Sequence, residues 1–374
     1  MILCMAEELR KIRNEDLGYD DFFEKHRNQL HLGGFSVARV IAEHRGSYKV
    51  KNSEGEFLAR ITGKHMFTAT KREDYPAVGD FVAITELPEE QAVINAVLPR
   101  KTIIKRRSGD KNKIGEKSVS QIIATNIDTA FVVESVDRDY NLNRFERYFA
   151  IANDEGIVPV IVLNKTDLNS KEELDEKTAE IKNRFVDVDV VLTSTKNNEG
   201  LDDLKAHIRR GKTHCFLGSS GVGKSSLINK LLGKEIIKTR EISEGSGRGK
   251  HSTTSREMYF LENGGIVIDN PGMREVGVTD ATPEIDNFFD EITALAETCK
   301  YSDCTHVNEP GCGVLSALKS GKLNESQYAN YMRLKKEAEY NEMTDYEKIE
   351  KDRQFGKFLN RAKKDLKASG HKNY

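Results

Sequence analysis

From Phe35 the chain alternates apolar and polar positions: FSVARVIAEHRGSYKV, EFLARITG and PAVGDFVAI, with Gly, Asn-Ser or Pro between the runs. A period of two marks strands with one buried face, and the punctuation marks hairpin turns. Five or so short strands predict a small antiparallel β-barrel over 35–105. Periodicity alone leaves an OB-fold and an SH3-like barrel both open. Residues 1–34 are charged, with scattered apolar positions (Leu9, Ile12, Leu17, Phe22, Phe23), and predict a short helix and an arm. KTIIKRRSGDKNK, residues 101–113, reads as a basic linker or exposed loop.

The pattern changes from residue 128. DTAFVVES and IVPVIVLN are continuous apolar runs flanking a helical NRFERYFAIANDEG; then come a helix near 170–184, the strand VDVVLTS, a helix near 200–210, the strand THCFLG, a helix over 224–232, and the strands REMYFLE and GGIVIDN. Apolar strands separated by helices predict an α/β domain whose parallel sheet is covered on both faces. LNESQYANYMRLKKEAEYNEM reads as a later helix opened by Asn324 with Gln327 three residues on.

Composition narrows the classes. The chain has 374 residues, 58 Lys+Arg, 60 Asp+Glu and a formal net charge of −2. No run approaches the ~18 apolar residues of a membrane span, and the opening MILCMAEELRKIRNEDLG is not a secretory signal. Five cysteines do not make a disulfide framework, so a reducing cytoplasm is the expected compartment. The last 24 residues carry eight Lys/Arg against two Asp, a pattern suited to a solvated tail or to a phosphate backbone.

Candidate chemistry begins at Gly218-Ser219-Ser220-Gly221-Val222-Gly223-Lys224-Ser225, which fits G-x-x-x-x-G-K-[ST] between a strand and the helix that continues through Ser226. The glycines let backbone N–H groups turn toward phosphate oxygens at a helix N-terminus. Lys224 would reach the β- and γ-phosphates, and the Ser225 hydroxyl would ligate Mg²⁺. Asn164-Lys165-Thr166-Asp167 ends an apolar strand. The Asp167 carboxylate can accept from N1–H and the 2-amino group of guanine, donors that adenine lacks. Asn164 would hold a neighbouring loop or the base's N7, the Lys165 stem would lie on the ring, and backbone N–H groups in TSTK, at Ser194 and Thr195, would contact the guanine carbonyl. These elements predict a GTP and GDP site.

Their order is reversed from that of most GTPases, since Asp167 lies 57 residues before Lys224. Joining the usual termini and cutting elsewhere builds the same sheet, so the order predicts a circular permutation. Asp269-Asn270-Pro271-Gly272 ends a further strand; Asp269 would hold Mg²⁺ through water and the Gly272 N–H would meet the γ-phosphate. In the intervening Gly- and Ser-rich stretch 243–257, Thr253 or Thr254 would ligate Mg²⁺. Met273 stands where Ras-like enzymes use a water-orienting Gln, which leaves His251 as the best local catalytic candidate. Cys299, Cys304, His306 and Cys312 form a Cys₃His set suited to structural zinc.

NKTD, TSTK, GSSGVGKS, GRGKHSTT, DNPG and CKYSDCTHVNEPGC together resemble the circularly permuted, small-ribosomal-subunit-dependent GTPases called RsgA, over roughly residues 35–340. The resemblance implies an N-terminal OB-fold, a permuted P-loop α/β GTPase domain and an α-rich zinc-binding domain. It also implies binding to the small ribosomal subunit and its rRNA during late maturation, with subunit-stimulated GTP hydrolysis. The family's proposed catalytic histidine falls on His251 and its hydrophobic switch residue on Met273, and Thr253 is favoured over Thr254 for Mg²⁺. DNPG and HSTT depart from the family's usual DTPG and HTT. The expected organisation is an arm over 1–34, the barrel over 35–105, the GTPase domain over 106–290, the zinc-binding domain over 291–345 and a basic tail over 346–374, in a cytoplasmic monomer with no membrane partner. Two other classes fit fewer features: a nucleotide-gated RNA-binding module with incidental hydrolysis, and a P-loop ATPase or kinase.

Overall fold

The computed structural model describes residues 12–44, 46–63, 72–108, 119–137, 140–219, 221–237, 256–269 and 289–343, with 347, 350, 351, 353 and 354 beyond them. The chain divides into two compact units, residues 1–107 with 120–276, and residues 108–119 with 277–374.

The first unit opens with a 3₁₀ turn, Asn14–Leu17, and α1, Asp21–Gln29, capped by the Asp20 side chain accepting from the Phe22 N–H. The strands β1 (Ser36–His44), β2 (Ser47–Lys51), β3 (Glu56–Ile61), β4 (Phe81–Leu87) and β5 (Gln91–Val97) follow. They pair in the order β1-β2-β3-β5-β4 and close through β4 on β1, every pair antiparallel except β3 with β5. That closed five-stranded order is an OB-fold, so the parallel β3–β5 ladder decides between the two barrels left open by periodicity. Register shifts at Val40/Ala42 and Ala83/Ile84 bend the strands for closure. The inward positions Val40, Tyr48, Val50, Val82, Ile84 and Ile94 fill the barrel.

Two expectations change here. The described part of 1–34 holds the expected short helix, α1, but as a docked element and not a free arm. Leu17, Tyr19 and Phe23 pack with Val37, Phe81 and Leu98 in one buried cluster, and the Phe23 ring centroid lies 4.4 Å from that of Phe81. Nor is 101–113 simply a linker: β6 (Ile103–Ser108) pairs with β7 (Val119–Thr125) in a two-stranded sheet, with Ile104 buried. The basic residues around Ile103 and Ile104 masked a strand that has only one apolar pair to show.

The α/β part comprises β8 (Thr129–Ser135), α2 (Leu142–Asp154), β9 (Val158–Asn164), α3 (Lys171–Arg184), β10 (Val190–Thr193), α4 (Leu201–Ala206), β11 (Thr213–Leu217), α5 (Lys224–Leu232), β12 (Glu257–Phe260) and β13 (Ile266–Asp269). Sheet order is β10-β9-β8-β11-β13-β12, parallel apart from β12. The carboxyl ends of β8, β9, β10, β11 and β13 therefore share one edge, where open α/β sheets bind ligands. The helix expected near 200–210 stops at Ala206. A bridge from Ala42 to Glu257 continues this sheet into the barrel.

Arg39 ties the first unit together from a fully buried position. Its guanidinium donates to the carbonyls of Leu17, Gly79 and Asn126 and lies over the Phe81 ring. The second unit holds α6 (Asp290–Ala296), α7 (Gly313–Lys319) and α8 (Glu325–Glu342), the last capped by Asn324 accepting from Ser326 and Gln327. No helix among the described residues is long and apolar enough to cross a membrane.

The docked α1 yields a direct test. Phe23→Ala removes a fully buried ring and is expected to destabilise the first unit by about 3–5 kcal/mol in urea unfolding. A loss below about 1 kcal/mol would fit the free arm instead.

Candidate functional site

The phosphate loop leaves β11 and enters α5, and its conformation needs its glycines. Gly218, at φ +143°, would put a Cβ 2.2 Å from the Val133 carbonyl oxygen; Gly223, at φ +101°, would put one 2.2 Å from Asn164 Nδ2. Gly221 is also left-handed, at φ +89°. Lys224 begins α5, and its ammonium donates to the carbonyls of Gly218 at 2.8 Å and Ser219 at 2.6 Å. Ser225 and Ser226 stand in the first turn of α5, half-buried, and Val222 is buried. The helix start thus presents N–H groups and a lysine at one place, which suits phosphate.

Asn164 ends β9 with no solvent exposure. Its Nδ2 donates to the Val222 carbonyl at 2.8 Å, and its Oδ1 accepts from the Thr193 hydroxyl at 3.1 Å. Of its two expected roles, the amide takes the loop-holding one. Asp167 sits in the 3₁₀ turn Thr166–Leu168 with little exposure. Its Oδ1 accepts from Ser194 Oγ at 2.7 Å, and Lys196 Nζ lies 3.6 Å from its Oδ2. The Ser194 N–H donates to Glu199 O at 3.0 Å, so Ser194 serves Asp167 through its hydroxyl. Thr195 follows in the same turn, which Asn197 closes by donating its N–H to Ser194 Oγ. Gly200 lets this turn return, since a Cβ there would meet Leu192 O at 1.7 Å.

Asp269 ends β13, next to the phosphate-loop strand. Burial raises its carboxyl to about 6; the Lys224 ammonium pulls the other way, and Glu257 across the ladder adds to the rise. A buried carboxyl of this kind regains its charge when a divalent cation stands near, which fits Mg²⁺. The structure therefore brings Asn164, Asp167, Ser194, the phosphate loop and Asp269 to one sheet edge. Ser220, His251, Thr253, Thr254, Gly272 and Met273 lie outside the described residues, as does most of the basic tail.

Two partners of this site went unread in the sequence. Asp137, after β8, lies 2.9 Å from Lys165 Nζ. Tyr148 is buried on α2, and burial raises its phenol while the Ser219 side chain pulls the other way. An acid just past a strand's end was the available signal for Asp137; Tyr148 had none beyond its helical face.

In the second unit the ligand atoms of Cys299, Cys304, His306 and Cys312 all lie within 4.8 Å of one another. Cys299 and Cys312 Sγ are 3.8 Å apart, and His306 Nδ1 lies 3.6 and 3.5 Å from them. A tetrahedral ion with bonds of about 2.3 Å to sulfur and 2.0 Å to nitrogen has edges of about 3.8 and 3.5 Å. Gly311, at φ +83°, turns the chain so that Cys312 returns beside Cys299 as the N-cap of α7. Burial pushes the Cys299 thiol up, but the N–H groups of Gly313 and Val314 together with Cys304 and Cys312 bring it below its ordinary value. The Tyr328 hydroxyl, from α8, donates to the His306 carbonyl at 2.6 Å. Cys215, by contrast, is a buried core thiol in β11.

Comparison with known proteins agrees with this geometry. A family model described as RsgA GTPase matches residues 97–279. The chain is similar to small ribosomal subunit biogenesis GTPase RsgA 2 of Lactiplantibacillus plantarum, 40% identical over 307 residues, which cover 82% of this chain and 84% of that one. It is likewise similar to small ribosomal subunit biogenesis GTPase RsgA of Opitutus terrae, at 40% over 338 residues, covering 87% and 89%. Among solved structures, YjeQ from Thermotoga maritima aligns with a TM-score of 0.58 at 28% identity, covering 80% of this chain and 97% of that one. YloQ, described as a circularly permuted GTPase, aligns at 0.57 and 21% identity, covering 84% and 98%, a likeness of fold.

The cluster's geometry predicts that purified protein carries about one metal ion per chain by elemental analysis, and that Cys312→Ser lowers this content. Metal-free protein from a chelator-free preparation would contradict it.

Proposed function

The chain belongs to the RsgA GTPase family, and on that premise we propose that it hydrolyses GTP on the small ribosomal subunit during late maturation, with the subunit stimulating turnover. The observation that carries the reading is the Asn164–Val222 hydrogen bond, which joins the base-side loop to the phosphate loop although the motifs stand in reverse order.

In this reading Asp167 accepts from guanine N1–H and N2–H, held in place by the Ser194 hydroxyl. Adenine offers neither donor and leaves the carboxylate unmatched. Lys165 lies along the ring and Thr195 flanks it. The Gly218–Ser225 loop, with Ser220 and Ser226, surrounds the phosphates, and Lys224 shifts from its own loop's carbonyls to the β- and γ-oxygens. Ser225, Thr253 and, through water, Asp269 would hold Mg²⁺, which would supply charge neutralisation for the phosphates. The Gly272 N–H meets the γ-phosphate. His251 positions or deprotonates the attacking water, a task the Met273 thioether cannot perform.

The Cys₃His set is a closed structural zinc site, because all four positions are protein ligands and none remains for substrate. The barrel, the zinc module and the basic tail supply the rRNA contacts. The protein works in the cytoplasm as a monomer, with GTP, GDP and the small subunit as its partners.

Turnover of GTP and ATP, with and without small subunits, tests this reading. GTP hydrolysis is expected to rise with subunits while ATP stays unused; Lys224→Ala abolishes turnover, and Asp167→Asn loosens the guanine preference. Equal use of ATP would overturn it. GTP binding without stimulated turnover would favour a nucleotide-gated RNA-binding module.

A further inference from the structure

The base-side loop contains an ion pair whose acidic partner, Asp137, lies outside both nucleotide motifs. Lys165 leaves β9 at φ +64°, a left-handed position few lysines adopt. Its ammonium lies 2.9 Å from Asp137 Oδ2, and the Ser135 hydroxyl donates to Asp137 Oδ1 at 2.8 Å. Between these two residues, the Val136 N–H donates to Asn164 O at 3.1 Å. The loops after β8 and β9 are thus joined twice, once through backbone and once through side chains. Both side chains are about three-quarters covered, Lys165 being 24% exposed and Asp137 29%. A lysine with a loose ammonium samples many rotamers and loses that freedom when a ligand packs on it; one anchored at its tip has lost it already.

Resting on the guanine-pocket reading, we propose that Asp137 is a positioning residue: it pins the Lys165 ammonium so that the lysine's aliphatic stem stands as a preformed wall for the purine ring. The stem offers apolar surface and no hydrogen bonds, so this wall contributes affinity and leaves base choice to Asp167. It also lies on the base side, so GDP and GTP gain from it equally. A defect here raises KM without lowering kcat.

The experiment is calorimetric binding of GDP and a non-hydrolysable GTP analogue to the full chain, with steady-state GTP turnover alongside. The set is wild type, Asp137→Asn, Lys165→Met and the double variant. Asn keeps the shape and the acceptor for Ser135, and Met keeps the stem while removing the ammonium. Asp137→Asn is expected to weaken both nucleotides alike, by about three- to tenfold, with kcat at saturating GTP retained and preference over ADP intact. In the Lys165→Met background the Asp137 change is expected to add nothing, because no ammonium remains to pin. Wild-type affinity in Asp137→Asn, the same factor lost again in the Lys165→Met background, or a fall in kcat with KM unchanged would each overturn the proposal. A wild-type protein that binds ADP as well as GDP would overturn the pocket reading itself, and this inference with it.

Discussion

One buried hydrogen bond, from the Asn164 amide to the Val222 carbonyl, joins two loops 58 residues apart in the chain. Thr193 sets the amide's orientation from the other side, so the group cannot turn without breaking both contacts. An unmatched polar group at such a dry position costs about 1–3 kcal/mol. Gly223 is part of the same constraint, because any larger residue would push into Asn164 Nδ2. The base-reading and phosphate-holding loops are therefore aligned before a nucleotide arrives, and binding need not pay for bringing them together.

The reversed order of motifs is compatible with this because sheet neighbours, not chain order, decide which loops meet. With β11 between β8 and β13, and β9 next to β8, the carboxyl ends of these strands lie side by side along one edge. Cutting the chain elsewhere leaves those neighbours unchanged. The buried strands Ala130–Val133, Val160–Leu163 and Cys215–Leu217 supply the apolar contact that keeps them adjacent.

Much of the fold was readable because strands and helices there are amphipathic or wholly apolar in the ordinary way. α5 matches its expected limits, and α8 begins at its Asn324 cap. The parallel β3–β5 ladder was not readable, since alternation records which face is buried and nothing about strand direction. The docking of α1 escaped notice because Leu17 and Phe23 are isolated among charges, and only the complementary surface of Phe81 and Leu98 makes them a core. At the site, motif spacing revealed the residues that would touch ligand. It did not reveal Asp137 or Tyr148, which act on those residues from strand ends and helix faces that carry no motif.

The most direct test is a structure of the protein with GDP bound. Guanine N1 and N2 are expected within hydrogen-bond distance of the Asp167 carboxylate while the β-phosphate lies in the Gly218–Ser225 loop beside Lys224. A purine ring placed away from Asp167, with the phosphates still in that loop, would contradict it.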